Sequence, residues 1–400
     1  MTAAVPAAAA TATSRDRLPP LDGLRGLCAV AIVVTHVAFQ SGDAFRGLWG
    51  GPLSRLGVGR ALLFLLSGFL LYQAFARSSL LQRPGPATAP YLWRRFLRIM
   101  PAYWVMMTAL VVVLHPGVLR EPATLLQQAV LAQTLTPGGI LAGSEPTWSL
   151  SVEAAFYLAL PILALAAGRL CRGAADPRGW ARRQLAFCGL LAAASLGWKL
   201  LRHGTDLLPD HAVLWLPYQL DLFALGMAFA VVVVHRGADQ SAWPRLRQVA
   251  SAPGTCLAAA AALYWLTCTD LAGPRSLVSE PDLWSVVARQ LLYAACAAVL
   301  LLPVVLGRTD SGYARLLGTS PLRYLGRISY GVFLWHVPVL TVTARLSDHT
   351  IFSGGFWALL LPTLAVSVVL ADVSYRLVEA PAMRLRQLVG RREPARAGRG

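Results

Sequence analysis

The sequence predicts an all-α membrane protein, a bundle of about ten transmembrane helices with both termini in the cytoplasm. Of its 400 residues, 56% are hydrophobic and only 14% are charged, and the mean hydropathy is +0.55. Soluble domains carry about 25% charged residues, so this chain has too little charge to cover a water-exposed surface. Ten apolar segments, each close to the roughly 20 residues that a bilayer requires, account for the composition.

The predicted spans are 24–41, 59–76, 99–115, 148–168, 185–201, 213–234, 254–271, 284–306, 325–344 and 356–375. Segment 123–135 is also apolar, but it is short and contains three glutamines, and we interpret it as an interfacial or re-entrant helix. Residues 1–20 are predicted to be a disordered tail, 21–385 an integral membrane domain, and 386–400 a basic tail.

The positive charge follows the predicted topology. The chain has 36 Lys and Arg against 19 Asp and Glu, a net charge of +17, and Lys199 is its one lysine. With ten spans and the N-terminus inside, 26 of these 36 residues lie in or beside cytoplasmic segments, as the positive-inside rule requires. A nucleic-acid partner is therefore not expected. The Arg-rich, nearly lysine-free composition predicts a GC-rich genome.

The first span holds two ionisable side chains at membrane depth, where such groups are candidates for function. Arg25 and His36 are eleven residues apart, which places them on one helix face with a rise of about 16 Å. Histidine suits a general base near neutral pH, and an arginine at the inner end suits an anionic cosubstrate from the cytosol. A snorkelling arginine and a histidine buried for packing are the structural alternative.

Two further groups lie at span ends. Arg94, Arg95 and Arg98 are predicted either to bind phosphates or to anchor the helix at the inner interface, and Arg95 and Arg98 share a helix face. Glu153 lies about one turn into the fourth span and is expected either to orient His36 or to pair with Arg60.

Four more residues are candidate substrate contacts. They are Trp148 and Ser149 before Glu153, Ser67 in the second span, where the SGF sequence could instead permit close helix approach, and His336 in the ninth span.

In order and spacing, these motifs resemble the membrane-bound acyltransferase-3 family over about residues 20–385. The residues that carry the resemblance are DGLRG with the following His36, LFLLSGFLL (63–71), RRFLRIMPAYW (94–104), WSLSVEAAFY (148–157), DLFALG (221–226), LGRISYGVFLWH (325–336) and VEAP (378–381).

The resemblance implies ten core helices and O-acyl transfer, most often of acetyl, from cytosolic acyl-CoA to a hydroxylated acceptor. It also implies roles for His36, Arg25 and Glu153 in catalysis and for Arg95 and Arg98 in donor binding. No metal and no permanently bound cofactor are expected. His36 could act as a base or form an acyl-histidine. Surface glycans, glycolipids and secondary metabolites such as macrolides remain open as acceptors, and a glycolipid transporter or flippase is the alternative function.

Overall fold

The computed structural model describes residues 19–174, 176–274 and 282–389, and its regular structure in these ranges is helical, without strands. The long helices are, in chain order, α1 Pro19–Ser41, α2 Val58–Leu80, α3 Thr88–Leu114, α4 Thr147–Leu170, α5 Pro177–Gly204, α6 Leu216–Ala238, α7 Pro253–Thr267, α8 Leu283–Leu306, α9 Ser320–Leu346 and α10 Phe356–Ser374. Five short α-helices connect or extend them: Gly50–Arg55, Pro122–Ala129, Pro244–Ala250, Gly312–Leu317 and Ala380–Arg384.

Within the described residues, nine helical segments are long and apolar enough to cross a membrane, and a bent helix pair makes a tenth. The predicted all-α bundle of about ten spans is therefore confirmed. Several helices extend beyond the predicted apolar segments, because polar and basic residues continue them past the apolar stretch. Residues 1–18 of the predicted N-terminal tail and 390–400 of the predicted basic tail lie outside the described residues.

The tenth candidate differs in shape from the predicted span 254–271. It consists of Pro244–Ala250 and α7, which meet at an angle of 82°. Proline lacks the backbone N–H and clashes with the preceding turn, so Pro253 starts a new helix instead of continuing the first.

Segment 123–135 forms only the eight-residue helix Pro122–Ala129 followed by turns, so it does not span a membrane. This segment packs on the second half of α3, where Tyr103 Oη and Trp104 Nε1 donate hydrogen bonds of 2.8 Å to the carbonyls of Gln128 and Ala129. The Gln128 side chain also donates to the carbonyl of Gly139 at 2.6 Å. Gln128, one of the three glutamines that make this segment a poor span candidate, thus links its short helix to the following loop.

Glycines allow two pairs of helices to touch backbone to backbone. A Cβ on Gly326 of α9 would lie 1.9 Å from the carbonyl oxygen of Asp22 in α1. In the same way, a Cβ on Gly226 of α6 would lie 2.0 Å from the carbonyl oxygen of Leu65, and one on Gly68 of α2 would lie 2.2 Å from that of Phe223. Small residues at such crossings are typical of membrane helix packing, and the SGF sequence serves this purpose.

A buried polar network joins α5, α6 and α8. Lys199, which is 2% exposed, places its Nζ 3.2 Å from Asp221 Oδ2 and 2.8 Å from Ser195 Oγ. Gln290 Nε2 donates to the other oxygen of Asp221 at 3.0 Å. The one lysine of the chain is therefore neutralised inside the bundle, and this pair supports the fold.

The α2–α6 contact gives a stability prediction. Gly226→Ala should separate the two helices and lower the free energy of unfolding by about 1–3 kcal/mol, the usual cost of overpacking. The measurement is the melting temperature of the detergent-purified protein. Gly189→Ala in α5 is the matched control, because a Cβ there meets nothing within 4 Å. Equal melting temperatures of the two variants would contradict the prediction.

Candidate active site

Three adjoining cavities lie along α1, and we name them by their lining. The basic cavity (about 400 Å³) is lined by Asp22, Arg25, Arg98, Arg323, Arg327 and Tyr375, among others. The central cavity (about 140 Å³) is lined by Arg25, Arg60, Ser67, Arg95, Arg98, Glu153, Tyr157 and Tyr330, among others. The histidine cavity (about 320 Å³) is lined by His36, Arg55, Arg60, Trp148, Arg289 and Tyr293, among others.

Neighbouring cavities share wall residues. Arg25 and Arg98 line both the basic and the central cavity. Ile32, Arg60 and Ser149 line both the central and the histidine cavity. Arg25 and His36 therefore lie along one series of cavities, as their shared helix face predicts, although in different cavities.

The Glu153 carboxylate lies in the central cavity with two hydroxyl partners. Its Oε1 accepts hydrogen bonds from Ser67 Oγ at 2.5 Å and from Tyr157 Oη at 2.6 Å. In the described part of the chain it bonds neither His36 nor Arg60, so neither predicted partner is observed. Tyr157 lies four residues after Glu153, one turn along the same helix face, and this spacing could have identified it from the sequence.

Arginine side chains outnumber carboxylates in the central cavity. Arg25, Arg60, Arg95 and Arg98 line it, whereas Glu153 is the one carboxylate among its lining residues. Arg98 Nη1 lies 3.4 Å from the carboxylate of the buried Glu379, which ends a π-helical turn after α10.

The positive charge of Arg95 has no carboxylate partner among the described residues. Its guanidinium lies 5.9 Å from the centre of the Tyr157 ring, and its buried Nε has no hydrogen-bond partner in the same part of the chain. Together with Arg25 and Arg60, it leaves the cavity with a surplus of positive charge that suits an anionic ligand.

His36 and His336 form a pair whose tautomers are set by backbone carbonyls. His336 Nδ1 lies 2.6 Å from the carbonyl oxygen of Phe333, and His36 Nδ1 lies 2.8 Å from that of Ile32. A carbonyl only accepts, so each neutral ring carries its proton on Nδ1. His36 Nδ1 also lies 3.3 Å from His336 Nε2, so its one proton is shared between the Ile32 carbonyl and that nitrogen. With this tautomer the neutral His36 ring carries no proton on Nε2.

The remaining predicted residues fall into two groups. Ser67, Ser149 and Trp148 line the cavities, with Trp148 in the histidine cavity. His336 is fully buried with its Nε2 3.3 Å from His36 Nδ1, and it is not among the lining residues of the three cavities. Arg94 lines none of the three cavities, because residues one apart point 100° away from each other on a helix and Arg95 faces the cavity.

Sequence reasoning gave little weight to the residues that α9 contributes. Arg323 and Arg327 are four residues apart and line the basic cavity from one helix face. Tyr330 lines the central cavity and donates from its Oη to the Ile99 carbonyl at 2.7 Å. The i, i+4 spacing of the two arginines was the available signal.

Comparisons with known proteins identify the family of this chain. Residues 19–376 match the family described as "Acyltransferase domain". This chain belongs to that acyltransferase family. The predicted family is confirmed, and the O-acyltransferase class agrees with the names of relatives. No solved structure matches the chain.

Three relatives align over most of the chain. Peptidoglycan O-acetyltransferase OatA of Listeria monocytogenes is 25% identical, covering 93% of this chain and 56% of OatA. This chain thus spans little more than half of OatA. Acyltransferase MdmB of Streptomyces mycarofaciens is 28% identical, covering 94% of each chain. Nodulation protein 10 of Rhizobium leguminosarum is 25% identical, covering 93% of this chain and 95% of the relative.

The role of Glu153 as a counter-charge can be tested. Hydrogen bonds to charged groups contribute about 1.5–3 kcal/mol, and Glu153→Gln weakens two of them while leaving the surrounding arginines uncompensated. We expect a loss of about 2–3 kcal/mol in unfolding free energy, seen as a lower melting temperature. Ser67→Ala removes one of these bonds and keeps the charge, so it should cost less. The prediction is wrong if both variants melt together.

Proposed function

We propose that this chain is an O-acyltransferase of the bacterial plasma membrane that transfers an acyl group, most simply acetyl, from cytosolic acyl-CoA. The acceptor is a hydroxyl on a sugar, a glycolipid or a secondary metabolite. The observation that carries this proposal is the series of three adjoining cavities along α1, all lined by arginines, with Arg323 and Arg327 at one end and His36 at the other. We also propose an orientation in the membrane: the basic cavity opens to the cytosol, and both chain ends are cytoplasmic.

The basic cavity supplies the donor site. Coenzyme A carries a pyrophosphate and a 3′-phosphate, and arginine binds phosphates through two parallel hydrogen bonds. Arg25, Arg98, Arg323 and Arg327 line this cavity. The pantetheine arm then extends through the central cavity, past Arg95, and brings the thioester toward His36.

The transfer needs one base at the far end of the path. His36 Nε2 takes the proton of the acceptor hydroxyl while the hydroxyl oxygen attacks the thioester carbonyl carbon. The tetrahedral intermediate then expels the coenzyme A thiolate, which takes the proton back from His36. The products are the O-acyl acceptor and free coenzyme A.

His36→Ala should lower acyl transfer by a factor of about 10²–10⁴, the usual contribution of a general base. The measurement is the release of free coenzyme A from labelled acetyl-CoA by protein in nanodiscs, with and without acceptor. His211→Ala, which lies outside the three cavities, is the control. Normal transfer by His36→Ala would refute the assignment. Movement of the acceptor without coenzyme A release would favour the transporter alternative.

Arg323→Gln should raise the KM for acetyl-CoA about tenfold, which corresponds to about 1.4 kcal/mol of phosphate binding. The KM for acetyl-pantetheine, which has no nucleotide phosphates, should stay the same. Arg315→Gln is the matched control, since Arg315 is also exposed and lies outside the cavity. An equal change in KM for both thioesters would show that Arg323 does not act on the phosphates.

A further inference from the structure

The histidine cavity has an unexplained surplus of positive charge. Arg55, Arg60 and Arg289 line it, and no aspartate or glutamate is among its lining residues in the described chain. Arg55 is held by the Gly273 carbonyl, to which its Nη2 donates at 2.5 Å. Arg60 lies over the Trp148 ring, with its guanidinium carbon 4.7 Å from the ring centre. Arg289 enters from α8.

Within the described ranges, no carboxylate lies within ion-pair distance of Arg60 or Arg289. The Nε of Arg60 is enclosed and has no hydrogen-bond partner. Glu145 precedes the lining residue Pro146, and both of its carboxylate oxygens lie 3.0 Å from the backbone nitrogen of Gly143, whose N–H they accept.

Membrane topology does not explain these charges. In the proposed orientation this cavity lies toward the outer side, where the positive-inside rule disfavours arginine. Two guanidinium groups in one cavity repel each other, and charged groups inside a bundle are costly unless they are paired. An anionic ligand would remove both penalties.

We propose that Arg60 and Arg289 bind an anionic group of the acceptor, so that the acceptor is an acidic sugar or a sugar phosphate. This inference rests on the proposed function, because it assigns the histidine cavity to the acceptor. Carboxylates and phosphates share the oxyanion geometry that arginine binds through two hydrogen bonds. Tyr293 adds a hydroxyl to the same cavity. The anion is thereby held in the cavity that contains His36, which positions a hydroxyl of the same sugar for attack.

The test compares matched acceptors with the protein in phosphatidylcholine nanodiscs and acetyl-CoA as donor. The probes are 4-nitrophenyl β-D-glucuronide, 4-nitrophenyl β-D-glucoside and the 6-phosphate of that glucoside. For the wild type, we expect kcat/KM to be at least tenfold higher for the two acidic glycosides than for the neutral one. Arg289→Gln should lower this acidic-to-neutral ratio at least tenfold, and Arg289→Lys should retain most of it.

Arg120→Gln removes an exposed arginine from the loop before α4 and is the matched control, with the ratio unchanged. A wild-type ratio near one, or an equal ratio in the wild type and Arg289→Gln, would overturn the proposal. Nanodiscs containing phosphatidylglycerol test the other source of phosphate. If this lipid raises the melting temperature through Arg289 while the ratio stays near one, the arginines bind a lipid headgroup and the proposal is wrong.

A binding measurement separates this inference from the proposed function. Without acyl-CoA, the glucuronide should raise the melting temperature of the wild type more than the glucoside does, and Arg289→Gln should abolish the difference. Absence of coenzyme A release with every acceptor would refute the proposed function, yet this thermal difference would still support the anion site. No thermal difference would overturn the anion site even in an active enzyme.

Discussion

Direct backbone contact between α1 and α9 is the constraint on which the site depends. Gly26 of α1 and Gly326 of α9 have no room for a side chain, because a Cβ on either of them would meet backbone atoms of the opposing helix within 3 Å. A Cβ on Gly23 of α1 would lie 2.0 Å from the carbonyl oxygen of Leu317, in the short helix just before α9. This closeness brings two histidines that are 300 residues apart in the chain within hydrogen-bond distance. It also holds α9 beside the basic and central cavities, so that this helix contributes Arg323 and Arg327 to the first and Tyr330 to the second.

Charges in the bundle interior and charges along the cavities differ in how well they are paired. Lys199 and Asp221 neutralise each other inside the bundle, and Gln290 satisfies the second carboxylate oxygen. Among the described residues, the arginines along the cavities have fewer carboxylate partners: Glu153 bonds two hydroxyl groups, and Glu379 pairs with Arg98. A buried charge without a partner is unfavourable, and these arginines line cavities in which an anionic ligand would compensate them.

The sequence was sufficient for the architecture but not for the pairwise contacts of the site. Ten apolar stretches predict ten helices, because the requirement for about 20 apolar residues is local. The bend before α7 was missed, because hydropathy does not register where a proline restarts the helix. Helical periodicity correctly placed Arg25 and His36 along one face. It could not show that Glu153 bonds Ser67 and Tyr157, or that Lys199 meets Asp221, because those contacts depend on how separate helices pack.

The residues shared by the central and histidine cavities form a boundary that affects whether solutes can cross the membrane through the protein. Ile32, Arg60, Ser149 and Phe333 form this boundary, and two of the four side chains are large and apolar. In the proposed reaction only a small acyl group passes this boundary, while coenzyme A stays on one side and the acceptor on the other. Such an enzyme needs no alternating exposure of a bound solute. It can therefore keep the membrane closed to solutes throughout its catalytic cycle.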